Sequence, residues 1–363
     1  MRLKFERRAE PSRLMAYFSP LIAAALTLLT GFILFSALGK DPLAAFHAFF
    51  IAPVASVNGA AELALKASPL VLIALGLAVG FRGNVWNIGA EGQLTIGAIF
   101  AGGLALAPGL GNSRLLLPLM ITAGALGGIA WASIPALLRT RFNANEILVS
   151  LMLTYVAQLL LSYLVYGPWC DPQGFNAPQS QLLPEAGLFP ILIEGTRLNA
   201  SVLLALTAVA AGWVVLSKSF VGYQMRVAGL ADAASRYAGF SAKRTIWIGM
   251  LAGGAAAGLA GVGEVAGPLG QLLPTVSPGY GFTAIIVAFV GRLNPAGILL
   301  AGLLLSLLYL GGDAAQISLG LPAAASALFQ GSLLCFLLGA DVFIAYRPRL
   351  VRTERVRTRE AIT

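Results

Sequence analysis

Uninterrupted apolar runs, each close to the roughly 20 residues that a helix needs to cross ~30 Å of hydrocarbon, recur along this chain. Nothing else in the sequence constrains the fold as strongly. Alternating strand-type segments do not recur, and only helices or closed barrels satisfy their backbone groups in lipid. The first run, residues 15–38, carries no charge between Arg13 and Lys40, and it is too long for the apolar core of a cleaved signal peptide. Of 363 residues, 58% are hydrophobic and 11% charged, with mean hydropathy +0.83, far from the balance of a soluble domain. The chain therefore reads as all-α, a polytopic transmembrane helix bundle of about ten helices.

The net charge of +9 raises the question of nucleic acid, and the placement of the charges answers it. Arg2, Lys4, Arg7, Arg8 and Arg13 precede the first run; Arg139 and Arg141 share a short loop; Lys218, Arg226, Arg236, Lys243 and Arg244 share another; six Arg from Arg347 to Arg359 form a tail. The positive-inside rule puts all four segments in the cytoplasm. Orientation thus accounts for the basicity with no nucleic acid as partner, and membrane lipid is the expected surroundings. With both termini inside, the number of crossings is even. The predicted spans are 15–38, 65–82, 93–109, 115–138, 146–166, 199–217, 245–263, 280–292, 296–311 and 325–346, between a basic N-terminus (1–14) and a basic tail (347–363). The Gly- and Pro-interrupted stretch from Gly261 to Tyr280 fits broken or re-entrant segments as well as clean spans. The 42 glycines suit close helix contacts in lipid.

One polar stretch, "GFRGNVWNIGAEGQLTIGA" from Gly80 to Ala98, lies between two membrane-grade runs. Asn84, Asn87, Glu91 and Gln93 must face protein, water or the interface, because polar groups exposed to hydrocarbon are costly. Two readings stand. Either this is a turn at the inner interface with Arg82 snorkelling, or it is a broken helix whose polar groups line a solute path. Glu264 and Gln271 pose the same question in the second half. Tyr155 and Gln158, three apart on one helix face, can hydrogen-bond a base or a sugar hydroxyl, or simply pack. Asn145-Glu146 reads as a helix-entry cap. Arg82-Gly83-Asn84 and Arg292-Leu293-Asn294-Pro295 each follow an apolar run and precede a glycine-rich one, which is either an internal repeat or chance.

Two loops stand out. The outward loop 167–198, rich in Pro, Gly, Gln and aromatic residues, either docks a partner or caps the bundle. The inward loop 218–244, "KSFVGYQMRVAGLADAASRYAGFSAKR", predicts a short amphipathic helix, with Asp232 in its first turn and Gly239 as its left-handed stop. Tyr237 and Phe240 would form an apolar knob beside Arg226 and Arg236. Such a helix either receives the push of a soluble motor or lies on anionic lipid.

The segments "NIGAEGQLTIGA", "NEILVSLMLTYVA", "GPWCDPQGFNAPQS", "GYQMRVAGLADAASRYAGF" and "GRLNPAGILLAG", in that order from about Ala61 to Asp341, resemble the permease subunits of ABC importers in the ribose, branched-chain amino acid and nucleoside superfamily, nearest the nucleoside branch. The resemblance implies a bacterial cytoplasmic (inner) membrane location, a second and different permease chain, a cytoplasmic ABC ATPase, and an extracytoplasmic solute-binding protein. It also implies that the loop 218–244 is the coupling element, with Tyr223, Arg226, Gly229, Asp232, Arg236, Tyr237 and Gly239 as candidate ATPase contacts. Where relatives tend to carry Asn-Pro, this chain has Ala231-Asp232. The candidates for the translocation pathway are Asn87, Glu91, Gln93, Tyr155, Gln158, Glu264 and Gln271.

What the sequence lacks points the same way. There is no G-x-x-x-x-G-K-[ST] phosphate loop; Gly39-Lys40-Asp41 lacks the upstream spacing and the hydroxyl residue. The chain is therefore expected to be no enzyme and to bind no cofactor, with ATP and Mg on the partner ATPase. One histidine, His47, and two cysteines in unlike settings, Cys170 and Cys335, make no metal cluster. The rival class, an ion-coupled secondary transporter, needs titratable groups deep in the bundle, and only Glu91 and Glu264 fit. A membrane enzyme finds no catalytic constellation.

Overall fold

The computed structural model describes residues 2–7, 13–109, 111, 113–175 and 177–351. In chain order the elements are β1 (Arg2–Arg7), α1 (Arg13–Ala37), α2 (Pro42–Phe46), α3 (Val57–Arg82), α4 (Ala90–Ala105), α5 (Leu116–Phe142), α6 (Glu146–Tyr166), α7 (Ser201–Lys218), α8 (Phe220–Leu230), α9 (Asp232–Tyr237), α10 (Ala242–Glu264), α11 (Tyr280–Val290), α12 (Pro295–Leu319), α13 (Ala323–Ala345) and β2 (Tyr346–Val351). Each of the ten predicted spans has its helix, and among the described residues seven helices are long and apolar enough to cross a membrane. The architecture is a polytopic helical bundle.

The two boundaries that move farthest, each by eight residues, do so across a charged residue. α3 begins at Val57 rather than 65, because Glu62 within its first turns is paired with Arg197 at 2.7 Å and does not end the helix. α12 runs on to Leu319 rather than 311, through Asp313. Local chemistry sets other ends: α5 runs four residues past the predicted 138, while α6 starts at the expected Asn145 cap. Asn143 closes α5 in the left-handed region (φ 53°), and Asn145 Oδ1 accepts from the N–H groups of Ile147 and Leu148 at 2.9 and 3.4 Å to start α6. Glu146 pairs with Arg139 at 3.1 Å across the same turn.

The described residues fall into two compact units. One is formed by the two ends of the chain, to Phe49 and from Gly312. In it α1 packs on α13 around Phe35, Phe46, Phe49 and Phe329, whose ring centroids lie 4.9 to 6.1 Å apart. β1 and β2 pair antiparallel from Arg2↔Val351 to Arg7↔Tyr346. So the basic termini contribute a two-stranded ribbon to an otherwise helical protein.

The other unit, Phe50–Gly311, holds the polar stretches. α3 runs through its middle, buried on every side from Ala67 to Phe81, as its all-round apolar sequence requires. α10 is the second central helix, and it packs by omission of side chains. A Cβ on Gly258 would fall on the Gly124 carbonyl of α5, one on Gly97 of α4 would meet Gly258 itself, and one on Gly249 would lie 2.8 Å from Gly80 Cα of α3. Three helices thus approach α10 at backbone distance, the arrangement small residues permit in lipid. α6 buries Ser150, Thr154, Ala157, Leu161 and Val165 and exposes Met152, Leu159 and Tyr163, a helix with one face inward and one outward.

Candidate functional site

The Gly80–Ala98 stretch is a true break. α3 ends with Gly83 N–H and Val85 N–H both bonded to the Gly80 carbonyl at 2.8 and 3.0 Å, and Asn84 turns the chain with φ 56°. Asn87 then closes a local turn by accepting from Gly89 N–H at 3.0 Å, and α4 starts at Ala90. A second break follows α10: a π-helical turn, Val265–Leu269, ends at Gly270 (φ 65°), and Ser277 Oγ accepts from Tyr280 N–H at 2.9 Å to start α11. At 16 and 11 residues, α4 and α11 are shorter than a full crossing.

These two short helices meet at their N-terminal ends. Glu91 Oε2 accepts from Gly281 N–H at 2.7 Å, with Ser277 and the Gly279 backbone also directed at the carboxyl group. Gly281 is packed so tightly that a Cβ there would fall on the Glu91 backbone nitrogen. Two helix N-termini, each carrying partial positive charge, therefore converge on one acidic side chain that is 2% exposed. Glu91 also borders a cavity of about 310 Å³ whose wall includes Thr95, Gln158, Ser162, Tyr166, Thr275 and Ser277. A carboxyl group, an amide, a phenol and four hydroxyls line it, a donor and acceptor set suited to a polar, polyhydroxylated solute.

The predicted pathway residues divide. Glu91 and Gln158 are brought together on this cavity. Asn87 and Gln93 instead satisfy each other, Asn87 Nδ2 to Gln93 Oε1 at 2.9 Å and Gln93 Nε2 to Asn87 Oδ1 at 3.1 Å, both 1% exposed. Tyr155 is 54% exposed and does not line the cavity with Gln158: it stands 60° farther round α6 from the narrow buried face, at whose edge Gln158 lies. Glu264 is buried beside Ser68, Ser201 and Leu204, away from the cavity, with Lys66 and Arg197 as the charges that reach it. Gln271 Nε2 approaches Gln179 Oε1 of the loop 167–198 at 3.4 Å. That loop lies across the second break: Ser180 N–H, Leu183 N–H and Phe189 N–H donate to the carbonyls of Leu272, Gly270 and Ala266 at 2.8 to 2.9 Å. It caps this part of the bundle, and Arg197 anchors its end to Glu62, whose carboxylate holds the guanidinium above its ordinary value. Sequence reasoning missed Thr95 and Ser162, although each stands four residues beyond a candidate, Glu91 or Gln158, one helical turn along the same face.

The loop 218–244 forms two helices, α8 and α9, where the sequence predicts one; the chain extends at Ala231 (φ −152°, ψ 85°) before α9 begins. Asp232 is the first residue of α9, and its side chain lies outside what the structure describes. Gly239 ends α9 in the left-handed region with φ 81°. Tyr237 projects into solvent at 97% exposure, and Tyr223, Arg226 and Arg236 are exposed as well. Phe240 is not part of a knob with Tyr237: it packs edge-on to Phe220 at 5.7 Å and to Tyr223 at 6.3 Å. Gly229 meets the end of α3, where a Cβ would fall on the Arg82 carbonyl. Arg82 donates to the carbonyls of Leu293 (2.7 and 3.1 Å) and Leu216 (2.8 Å).

A many-span bundle with two half-helices meeting over a polar cavity is the architecture of a transport permease. Residues 59–338 match the family described as the branched-chain amino acid transport system / permease component. The chain belongs to that family and is an ABC transporter permease, a multi-pass membrane protein. It is 37% identical over 351 residues to the glucose ABC transporter permease protein TsgB13 of Haloferax volcanii, covering 94% of this chain and 92% of that one. It is 32% identical over 318 residues to the guanosine ABC transporter permease protein NupP of Bacillus subtilis (86% and 90%). It is 30% identical over 300 residues to the nucleoside ABC transporter permease protein NupB of Lactococcus lactis (80% and 82%).

Proposed function

We propose that this chain forms the solute pathway of an ATP-driven importer, most readily for nucleosides. The observation that carries the reading is the Glu91 cavity at the meeting of α4 and α11, where acceptors and hydroxyls converge without a catalytic constellation. A second permease chain, a cytoplasmic ABC ATPase holding ATP and Mg, and an extracytoplasmic binding protein complete the machine. Its membrane is the bacterial cytoplasmic membrane, with both termini on the cytoplasmic side. The exposed residues Tyr223, Arg226, Arg236 and Tyr237, with Gly229 and Gly239 shaping α8 and α9 and Asp232 opening α9, form the surface that meets the ATPase. Two relatives named for guanosine and for nucleosides support the solute class.

A sugar reading rests on the 37% identity to a permease named for glucose. The two readings share a chemistry, since a nucleoside presents a sugar ring to the same hydroxyl-lined wall. Uptake of labelled uridine, guanosine, ribose and glucose, in cells with and without the chain, separates them. Chain-dependent uptake that falls on ATP depletion and survives collapse of the proton gradient is expected. Uptake that follows the gradient overturns the ATP-driven reading and makes Glu91 and Glu264 the residues of interest.

A further inference from the structure

We propose that Arg82 is a positioning residue that carries movement of α8 to the Glu91 cavity, with α11 as the rigid arm between them. The inference rests on the importer reading above.

The path is continuous contact. α8 sits on the end of α3 with no spare room: Gly229 abuts the Arg82 carbonyl, and a Cβ on Gly83 would lie 2.6 Å from Met225 Cε. A shift of α8 therefore displaces Arg82. The Arg82 guanidinium in turn holds the chain just past α11, with Nε and Nη2 both on the Leu293 carbonyl, while Nη1 holds the last turn of α7 at Leu216. Ring stacking grips the same end of α11: Phe289 lies 5.0 Å from Phe81 and 5.6 Å from Trp86. From there an unbroken helix of 11 residues reaches Gly281, about 16 Å at 1.5 Å per residue. Gly281 bears directly on Glu91 by one hydrogen bond and by backbone contact. The segment between Arg82 and Glu91 thus holds α11 at both ends, the first beside α8 and the second on the cavity.

Arginine suits this place because its planar fork makes two bonds to one carbonyl and a third to another in one fixed geometry. Lysine keeps the charge and the reach but has no fork. A residue that only tied helix ends together would change stability when replaced by lysine, and not the amount of solute moved per ATP.

The test uses the complete complex in proteoliposomes, with the binding protein and the labelled solute identified by the uptake assay. Arg82→Lys is expected to assemble and to hydrolyse ATP while moving about tenfold less solute per ATP, the size of losing one charge-assisted hydrogen bond. A reporter, Thr275→Cys in a Cys170→Ser, Cys335→Ser chain, is expected to react with a maleimide at a rate that changes several-fold on adding ATP, and to lose that response in Arg82→Lys. An unchanged solute-to-ATP ratio in Arg82→Lys overturns the proposal. So does an ATP response at Thr275→Cys that persists in Arg82→Lys or is missing without it. Should Arg82→Lys fail to assemble, Phe289→Leu loosens the same end of α11 and is read by the same outcomes. A parent complex that moves no solute on ATP defeats the importer reading instead.

Discussion

Glu91 and Gly281, 190 positions apart, are joined by a 2.7 Å hydrogen bond from the Gly281 N–H to the Glu91 carboxyl group, which fixes the N-terminal ends of two half-helices to each other. Glutamine at position 91 keeps an acceptor for that bond and alanine does not. Glu91→Gln is therefore expected to leave the assembled complex intact and to alter uptake several-fold. Glu91→Ala removes a bond worth about 1.5–3 kcal/mol if charge-assisted, and is expected to lower both uptake and the melting temperature in detergent. Loss of folded protein in Glu91→Gln would make this residue a structural tie alone.

Asn87 and Gln93 make the opposite prediction. Their amides pair reciprocally in a buried site, so either single alanine variant leaves a polar group unsatisfied at a cost of about 1–3 kcal/mol. The double variant should cost less than the sum of the singles, which a thermal double-mutant cycle reads directly. Additive losses would mean the pair is not coupled.

Glycine positions separate by what surrounds them. Gly258→Val drives a side chain into the α5 backbone and should cost roughly 1–3 kcal/mol or more, with loss of folded protein in a detergent melt. Gly331, in α13, has nothing within 4 Å of a new Cβ; Gly331→Ala should stabilise by about 0.5–1 kcal/mol through lower unfolded-state entropy.

Tyr237 at 97% exposure contributes little to folding; surface changes of this type stay within about 0.5 kcal/mol. Replacing Arg236 and Tyr237 together is expected to leave membrane insertion intact and to abolish both co-purification of the ATPase and transport. Normal transport by that variant would remove α9 from the coupling surface.

Helix existence was legible in the sequence because each span is apolar over most of a membrane thickness, and α6 was legible to its ends because Asn145 and Tyr166 bound a clean run. The start of α3 was not, since Glu62 and Lys66 look like interface charges until Arg197 is seen beside Glu62. Within the polar stretch the chain combines a turn and a helix break. Arg82 sits at a turn and bonds carbonyls, while Glu91, nine positions on, lines a cavity at a broken helix. What decides between such residues is contact across the fold. Gly281 and Leu293 lie about 200 positions from their partners, and no periodicity reports a pairing of that range. The resemblance of Arg82-Gly83-Asn84 to Arg292-Leu293-Asn294 marked two segments that turn out to touch, through the Arg82 guanidinium and the Leu293 carbonyl.

The bare glycine seam of α10 also has a meaning for how the chain is made. α3, α4 and α5 leave the ribosome before α10, and about 100 residues separate the end of α5 from the start of α10, roughly 5–20 s of synthesis. During that interval the three early helices have an unfilled slot where their central neighbour belongs. Of these four helices α10 arrives last and is the keystone, and its freedom from side chains along the seam suits it to a slot framed by the other three.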